Sequence, residues 1–416
     1  YLAIDIGSSY IKSALLDPCE GTIADYRRVA TPGRLPQPDP RVYEVDAEAI
    51  VLAVTETIAR RAAACARIEG ILLSTQAHGF VLGNAEGEAV TGYVSWQDQR
   101  CLNVAAEGGT YYDQLDRLIP ERLMARSGIR LKPGCALPNA YAWLNGERSA
   151  QGDPSDLHFF TLGSFVIRRL TGRNACHLTN AAATGLADIE AGTWNRDLLR
   201  LTGLDALTFP ELCGETTICG AESVTGRSIP VYPDIADLPA AILGSGLSPE
   251  DEVFINIGTA AQMTRIVAST ESGRFEVRPF FDGHWLNTVT GIPGGRCLDV
   301  LVVFFQDAGE KLFSVSFSKE AIWERLLSLE PVAGSDSLEV QTGVFERTTG
   351  GERGAIHHIR PNNFGVAELM AGAYRNIGEV YAAQLGKLVS RRPEALSIVF
   401  GGGARRKGRG VAPASH

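Results

Sequence analysis

The sequence predicts an α/β protein made of two related lobes, and three observations carry that expectation. The segment Leu2-Ala3-Ile4-Asp5-Ile6-Gly7-Ser8-Ser9-Tyr10-Ile11-Lys12 returns as Phe254-Ile255-Asn256-Ile257-Gly258-Thr259-Ala260-Ala261-Gln262, with Gly258 in the place of Gly7. Each copy is an aliphatic run with one polar residue inside, then Gly, small or hydroxylated residues, and a second apolar run. At 416 residues the chain is also too long for one ordinary domain. Elsewhere, strand-like runs alternate with helix-like ones.

The first copy reads as strand, tight turn, strand, because Tyr10–Leu16 keeps strand composition; Gly21–Tyr26 extends it into a meander. That excludes the usual P-loop, where the glycine turn opens a helix and Gly-Lys-Ser/Thr follows. Asp46–Ile68 has helical spacing, Ile71–Thr75 reads as a buried strand, and Leu162–Gly172 as a helix stopped by glycine. A loop of turn formers and charge follows Leu243, so the expected division is 1–247, 248–404 and a tail 405–416. Phe364–Leu388 reads as a long alanine-rich helix, and Leu396–Phe400 as a strand running into Gly401-Gly402-Gly403-Ala404. The basic, glycine-rich tail has no helical periodicity and is expected to be disordered.

Composition narrows the function classes. The apolar fraction of 45% and charged fraction of 21% are those of a soluble globular protein. The apolar run Val300–Phe305 is far too short to cross a bilayer, and no basic region followed by an apolar stretch opens the chain. A net charge of −9 argues against non-specific nucleic-acid binding. The eight cysteines form no Cys-x-x-Cys pair and none has a histidine at ligand spacing. Structural zinc is therefore not expected, and reduced thiols in a cytoplasmic protein fit best.

Several segments can carry chemistry. Asp5 lies in an otherwise apolar strand, where an unpaired carboxylate is costly. It reads as a ligand of Mg²⁺ and its waters, with Gly7, Ser8, Ser9 and Lys12 near nucleotide phosphates, or as an edge-strand acid capping a turn. Asp237 precedes Leu238-Pro239-Ala240-Ala241, a helix start whose dipole would keep the carboxylate ionised as a general base; Asp is also an ordinary N-cap. Gln76-Ala77-His78-Gly79 follows a strand, where α/β sheets place ligands, and offers neutral partners for sugar hydroxyls or a structural histidine. Trp96-Gln97-Asp98-Gln99-Arg100 combines an aromatic face, a carboxylate and a guanidinium, suited to a sugar or to an internal Asp98–Arg100 pair. Gly402-Gly403-Ala404 permits close approach of a flat group such as adenine, and Gly295 opens another apolar segment.

In this order, the pieces resemble the FGGY carbohydrate kinases of the actin-like ATPase superfamily. The resemblance is carried by Asp5–Ser9, Gln76–Gly79, Trp96–Arg100, Leu170-Thr171-Gly172, Asp237-x-x-Ala240-Ala241-x-x-Gly244, Gly258-Thr259 and Phe400–Ala404. It implies two actin-like (ribonuclease H-like) lobes with an ATP and sugar cleft between them. It also implies Asp237 as the base on the sugar's primary hydroxyl, Asp5 near Mg²⁺, Gly258 and Thr259 at the phosphates, and Gly403-Ala404 against adenosine. Gln-x-His-Gly and the second phosphate turn are similar to the ketose kinases, sedoheptulokinase and xylulokinase, although Ala77 stands where those often carry Met. A homodimer fits the resemblance. The family continues beyond the match to Ala404 with further helix and sheet, so a shortened nucleotide lobe is expected. That keeps a second reading open, a homologue that binds sugar or nucleotide without turnover. An actin-like ATPase of the chaperone type would not need the Gln76 and Trp96 segments.

Overall fold

In a computed structural model of the chain, the structure describes residues 1–147, 154–247, 252–257, 260–271, 273–330, 338–343, 354–389 and 397–401. They fall into two compact units, Tyr1–Gly244 with Arg278–Gly283, and Ser245–Val277 with His284–His416.

The first unit begins with β1 (Leu2–Ile6), β2 (Tyr10–Asp17) and β3 (Thr22–Ala30). Leu2, Ile4 and Ile6 are buried, the period-two pattern of a strand with one covered face. Helix α1 (Ala47–Ala64) starts where the Asp46 carboxylate accepts the Ala49 N–H at 3.0 Å, and it buries Ile50, Val54 and Ile58 on one stripe. Strand β4 (Ile71–Thr75) runs parallel to β1. Helix α2 (Leu162–Thr171) is capped by Thr161 and closed by Gly172 at φ 80°, a left-handed stop that glycine takes without strain.

Short strand β5 (Ala175–His177) leads directly into α3 (Leu178–Ala183). Strands β6 (Gly220–Val224) and β7 (Arg227–Ala236) complete the sheet, and α4 (Asp237–Ser245) leaves its end. The strand order is β6-β7-β4-β1-β2-β3, with β1, β4 and β7 parallel. Its core joins Ile4, Ile6 and Ile71 to Ile50 and Ile58 of α1 and Phe165 of α2. A second cluster around Phe80, Leu137, Phe159 and Leu198 lies in the same unit.

The second unit contains β8 (Glu252–Ile257), β9 (Ala260–Val267), the start of β10 (Glu276–Pro279), whose last two residues are counted with the first unit, and β11 (Trp285–Pro293), then α5 (Gly295–Phe313). It continues with α6 (Lys319–Leu327), α7 (Val366–Leu388) and β12 (Ser397–Gly401) in the order β10-β11-β9-β8-β12. Strand β8 is antiparallel to β9 and parallel to β12, as β1 is to β2 and β4. The repeated sequence is thus a repeated sheet core. Register makes the match specific: Asp5 faces Lys12 in the first unit, and Asn256 faces Gln262 in the second. No helix among the described residues is long and apolar enough to cross a membrane.

Candidate functional site

Three parallel strands of the first sheet end in one row. Ile6 of β1 pairs with Thr75 of β4, and Thr75 pairs with Ala236 of β7. The next residues are Gly7, Gln76 and Asp237, so three of the segments singled out above start from the carboxyl edge of one sheet. That edge is where open α/β sheets take their ligands. The Gln76 N–H donates to the Ile6 carbonyl at 2.9 Å, which ties the second segment to the first.

In the glycine turn, Gly7 N–H donates to Tyr10 O at 3.1 Å, and a Cβ at Gly7 would meet that oxygen at 3.2 Å. Ser8 and Ser9 are exposed, and their N–H groups make no backbone hydrogen bond among the described residues. Such a turn can receive anionic oxygens. Behind it, Lys12 Nζ donates to Asp5 Oδ2 at 2.8 Å and Ser74 Oγ donates to Asp5 Oδ1 at 3.2 Å. Burial works against the Lys12 ammonium, but the hydrogen bond and charge of Asp5 outweigh it and raise its pKa. Asp5 fits a Mg²⁺ ion, which commonly takes one or two carboxylates and completes its shell with phosphates and water. Among the described residues, no three His, Cys, Asp or Glu side chains cluster as a self-sufficient metal site.

Asp237 is the first residue of α4, and its Oδ1 accepts the Leu238 N–H at 2.8 Å. The residue keeps solvent access, yet protein crowds the carboxyl enough for desolvation to lead the causes that push its pKa up to about 6. The negative charge of Asp5 is the second cause. A helix start alone suggests a readily ionised acid; here desolvation and a like charge reverse that direction.

The Gln76–Gly79 turn is tightly built. His78 has φ 70°, and its Nδ1–H donates to the Ala183 carbonyl at 2.6 Å. A Cβ on Gly79 would collide with the Tyr93 ring and hydroxyl and the Val94 carbonyl. The buried Gln76 Oε1 and Tyr93 hydroxyl have no hydrogen-bond partner among the described residues. Buried polar atoms without partners are uncommon, and here two belong to one corner of the site.

The Trp96–Arg100 segment divides. Trp96 is 43% exposed, available as an aromatic face. Asp98 and Arg100 are fully buried and turned to each other. Arg100 Nε and Nη2 donate to the two Asp98 oxygens at 3.0 and 2.9 Å, and Nη2 also reaches Glu44 at 2.6 Å. Asp98 further accepts the Tyr43 N–H at 2.7 Å. The substrate assignment of Asp98 and Arg100 therefore gives way to the internal pair, because neither group faces solvent. Gly295 is the first residue of α5. Gly258, Thr259, Gly402, Gly403, Ala404 and the tail 405–416 lie outside the described residues.

Residue patterns alone missed Ser74, Tyr93 and a buried cluster around Asp234. Asp234 Oδ2 accepts from Thr161 Oγ1 at 3.1 Å and Asn180 Nδ2 at 2.7 Å, and its Oδ1 accepts the His177 N–H at 3.1 Å. The signal was present: like Asp5, Asp234 is a lone acid in an apolar strand. None of the eight cysteines is joined in a disulfide, and six of them are buried.

Residues 1–233 match the N-terminal domain of the FGGY family of carbohydrate kinases. The apulose kinase of Pectobacterium atrosepticum is 28% identical over 278 residues, covering 63% of this chain and 53% of that protein. The glycerol kinase of Xanthobacter autotrophicus is 31% identical over 276 residues, covering 62% and 52%. The chain spans about half the length of the curated relatives it matches. Among solved structures, xylulose kinase from Rhodospirillum rubrum superposes with a TM-score of 0.81 at 18% identity, over 97% of this chain and 82% of that one. Glycerol kinase from Plasmodium falciparum with ADP gives 0.77 at 15% identity, over 97% and 82%. These superpositions show the two-domain, actin-like α/β fold. With the N-terminal domain match covering more than half of its length, the chain belongs to the FGGY family of carbohydrate kinases.

Proposed function

We propose that this protein transfers the terminal phosphoryl group of ATP to the primary hydroxyl of a ketose, of the xylulose or sedoheptulose kind, with Asp237 as general base. The row Gly7, Gln76 and Asp237 on one sheet edge carries this reading. The reading is supported by the glycine turn, Gln76 and the Asp237 carboxyl starting from the same edge.

Asp237 accepts the proton of the attacking hydroxyl, and its raised pKa makes it a stronger base than an ordinary aspartate. Gln76, His78 and the exposed face of Trp96 orient the sugar, with Gly79 letting the turn lie against Tyr93. The N–H groups of Ser8 and Ser9, and Lys12, steady phosphate oxygens, with Gly258, Thr259, Gly295 and Gly402–Ala404 assigned to the nucleotide side. Asp5 would hold Mg²⁺, which when bound neutralises charge on the phosphates. The family match supports ATP as donor, and a cytoplasmic setting and a homodimer are carried forward with it as part of the proposal.

The test is a coupled ADP-release assay over D-xylulose, sedoheptulose, glycerol and gluconate. Asp237→Ala is expected to abolish turnover while leaving nucleotide binding, and near-normal turnover in that variant would end the assignment. The base works only when ionised. Since its pKa is raised to about 6, kcat/KM is expected to fall as the pH drops below about 6 and to level off above it. No turnover on any acceptor, with sugar-induced thermal stabilisation intact, would favour the binding-only reading.

A further inference from the structure

The geometry points to a positioning device for Asp237: helix α3, through the Thr179 hydroxyl and the His177 imidazole, fixes the strand end from which the base projects. The inference rests on the reading of Asp237 as the base.

The end of β7 has one open side. Its pairing with β6 ends at Val231, and its register with β4 shifts between Val231 and Asp234. Beyond Val231, no strand among the described residues pairs with that side. An open N–H in a buried setting needs another partner. At Ala236, immediately before Asp237, α3 supplies it: the Ala236 N–H donates to Thr179 Oγ1 at 3.1 Å.

The Thr179 hydroxyl is itself directed. His177 caps α3, and its Nδ1 accepts the Thr179 N–H at 3.3 Å. A ring nitrogen that accepts carries no proton, so the imidazole is the Nε2–H tautomer. Thr179 Oγ1, 2.9 Å from Nδ1, is then the donor in that contact. One hydroxyl thus gives its proton to His177 and a lone pair to the strand end.

The rest of α3 fixes the neighbouring segments. Asn180 Nδ2 donates to Asp234 Oδ2 at 2.7 Å and to Thr75 Oγ1 at 3.0 Å, joining β7 to β4 just before Gln76. The Ala183 carbonyl takes the His78 proton at 2.6 Å. His177, Thr179, Asn180 and Asp234 are all buried, so water does not compete for these bonds. Base and sugar turn are therefore set against one short helix, in a reaction where a misplacement of about 1 Å can cost a hundredfold in rate.

Steady-state kinetics of the full chain with ATP, Mg²⁺ and D-xylulose, sedoheptulose or glycerol tests this. Thr179→Val keeps the shape and removes the hydroxyl; it is expected to lower kcat about tenfold or more with KM within about twofold. Thr179→Ser restores the hydroxyl and should return kcat to within about threefold of wild type. A kcat loss that Ser does not rescue would make Thr179 a packing residue and overturn the proposal. Asp237→Asn separates the two levels. If it is inactive while Thr179→Val turns over normally, this inference alone fails. If Asp237→Asn stays active, the base assignment fails and takes the inference with it. A further readout needs no turnover: in ¹⁵N-histidine-labelled protein His177 is expected as the Nε2–H tautomer, and an Nδ1–H imidazole would overturn the proposal.

Discussion

Asp234 and Arg100 show how differently two buried charged residues behave. Three donors converge on Asp234, which favours its ionised form, but complete burial outweighs them and pushes its pKa from 3.8 up to about 7. The folded protein then holds a proton between about pH 4 and 7 that the unfolded chain has released. Stability from this group is full below the unfolded pKa and is lost as pH rises through about 7, a span of about 4 kcal/mol. Asp234→Asn should flatten that dependence in thermal melts between pH 4 and 8. The variant should be less stable than wild type at pH 5, because an NH₂ replaces an accepting oxygen, with the gap narrowing toward pH 8. A gap between wild type and Asp234→Asn that fails to narrow through this window would refute the assigned shift. Arg100 is a different case, a guanidinium held between Asp98 and Glu44 with almost no exposure. Arg100→Met strands two carboxylates and is expected to cost about 3–5 kcal/mol in denaturant unfolding. If Arg100 instead touched sugar, the variant would keep its stability and lose only the ligand-induced thermal shift.

Several elements of ordinary length were legible, but not all: α5, β7 and β11 went unread, as did the short elements that organise the site. Helix α1 announced itself through apolar spacing after Asp46, and β4 through Ile71-Leu72-Leu73. Helix α2 ended where Gly172 required. Helix α3 is six residues of Leu, Thr, Asn and Ala, too short for a period to show, and its role depends on contacts remote in sequence. The Asp98–Arg100 pair could be read either way from five adjacent residues, because Glu44 and Tyr43, which complete it, come from another segment. Packing can also reverse a local preference. Gly163 lies in the first turn of α2, where Ala would favour the helix by about 1 kcal/mol. A Cβ there would collide with the Asp234 carboxyl. Gly163→Ala is therefore expected to destabilise by about 1–3 kcal/mol, read from the shift of the urea midpoint. A stabilised variant would show that the Asp234 cluster yields easily.

At the scale of the whole molecule, one sheet core is used twice with different chemistry at its centre. Asp5 opposite Lys12 is an ion pair; Asn256 opposite Gln262 is a pair of neutral amides, with Gln262 Oε1 unpartnered among the described residues. The fold accepts either pair, so charge at this place is not demanded by the hairpin. The Asp5–Lys12 pair is about two-fifths exposed, and such pairs contribute well under about 1 kcal/mol. Asp5→Asn, which gives the first unit the residue of the second, should therefore change the melting temperature little. Its effect should fall on charge. Turnover is expected to drop by about a hundredfold or more as stabilisation of the phosphates is lost, and binding of Mn²⁺ as a probe for Mg²⁺, followed by electron paramagnetic resonance with ATP present, should weaken in parallel. The reciprocal Asn256→Asp should not restore either property in the Asp5→Asn background, because its carboxylate would face Gln262 rather than Lys12. Unchanged Mn²⁺ binding and turnover in Asp5→Asn would show that the two hairpins differ in residue but not in task. A loss of both without a loss of stability would assign the division of labour to that single acid.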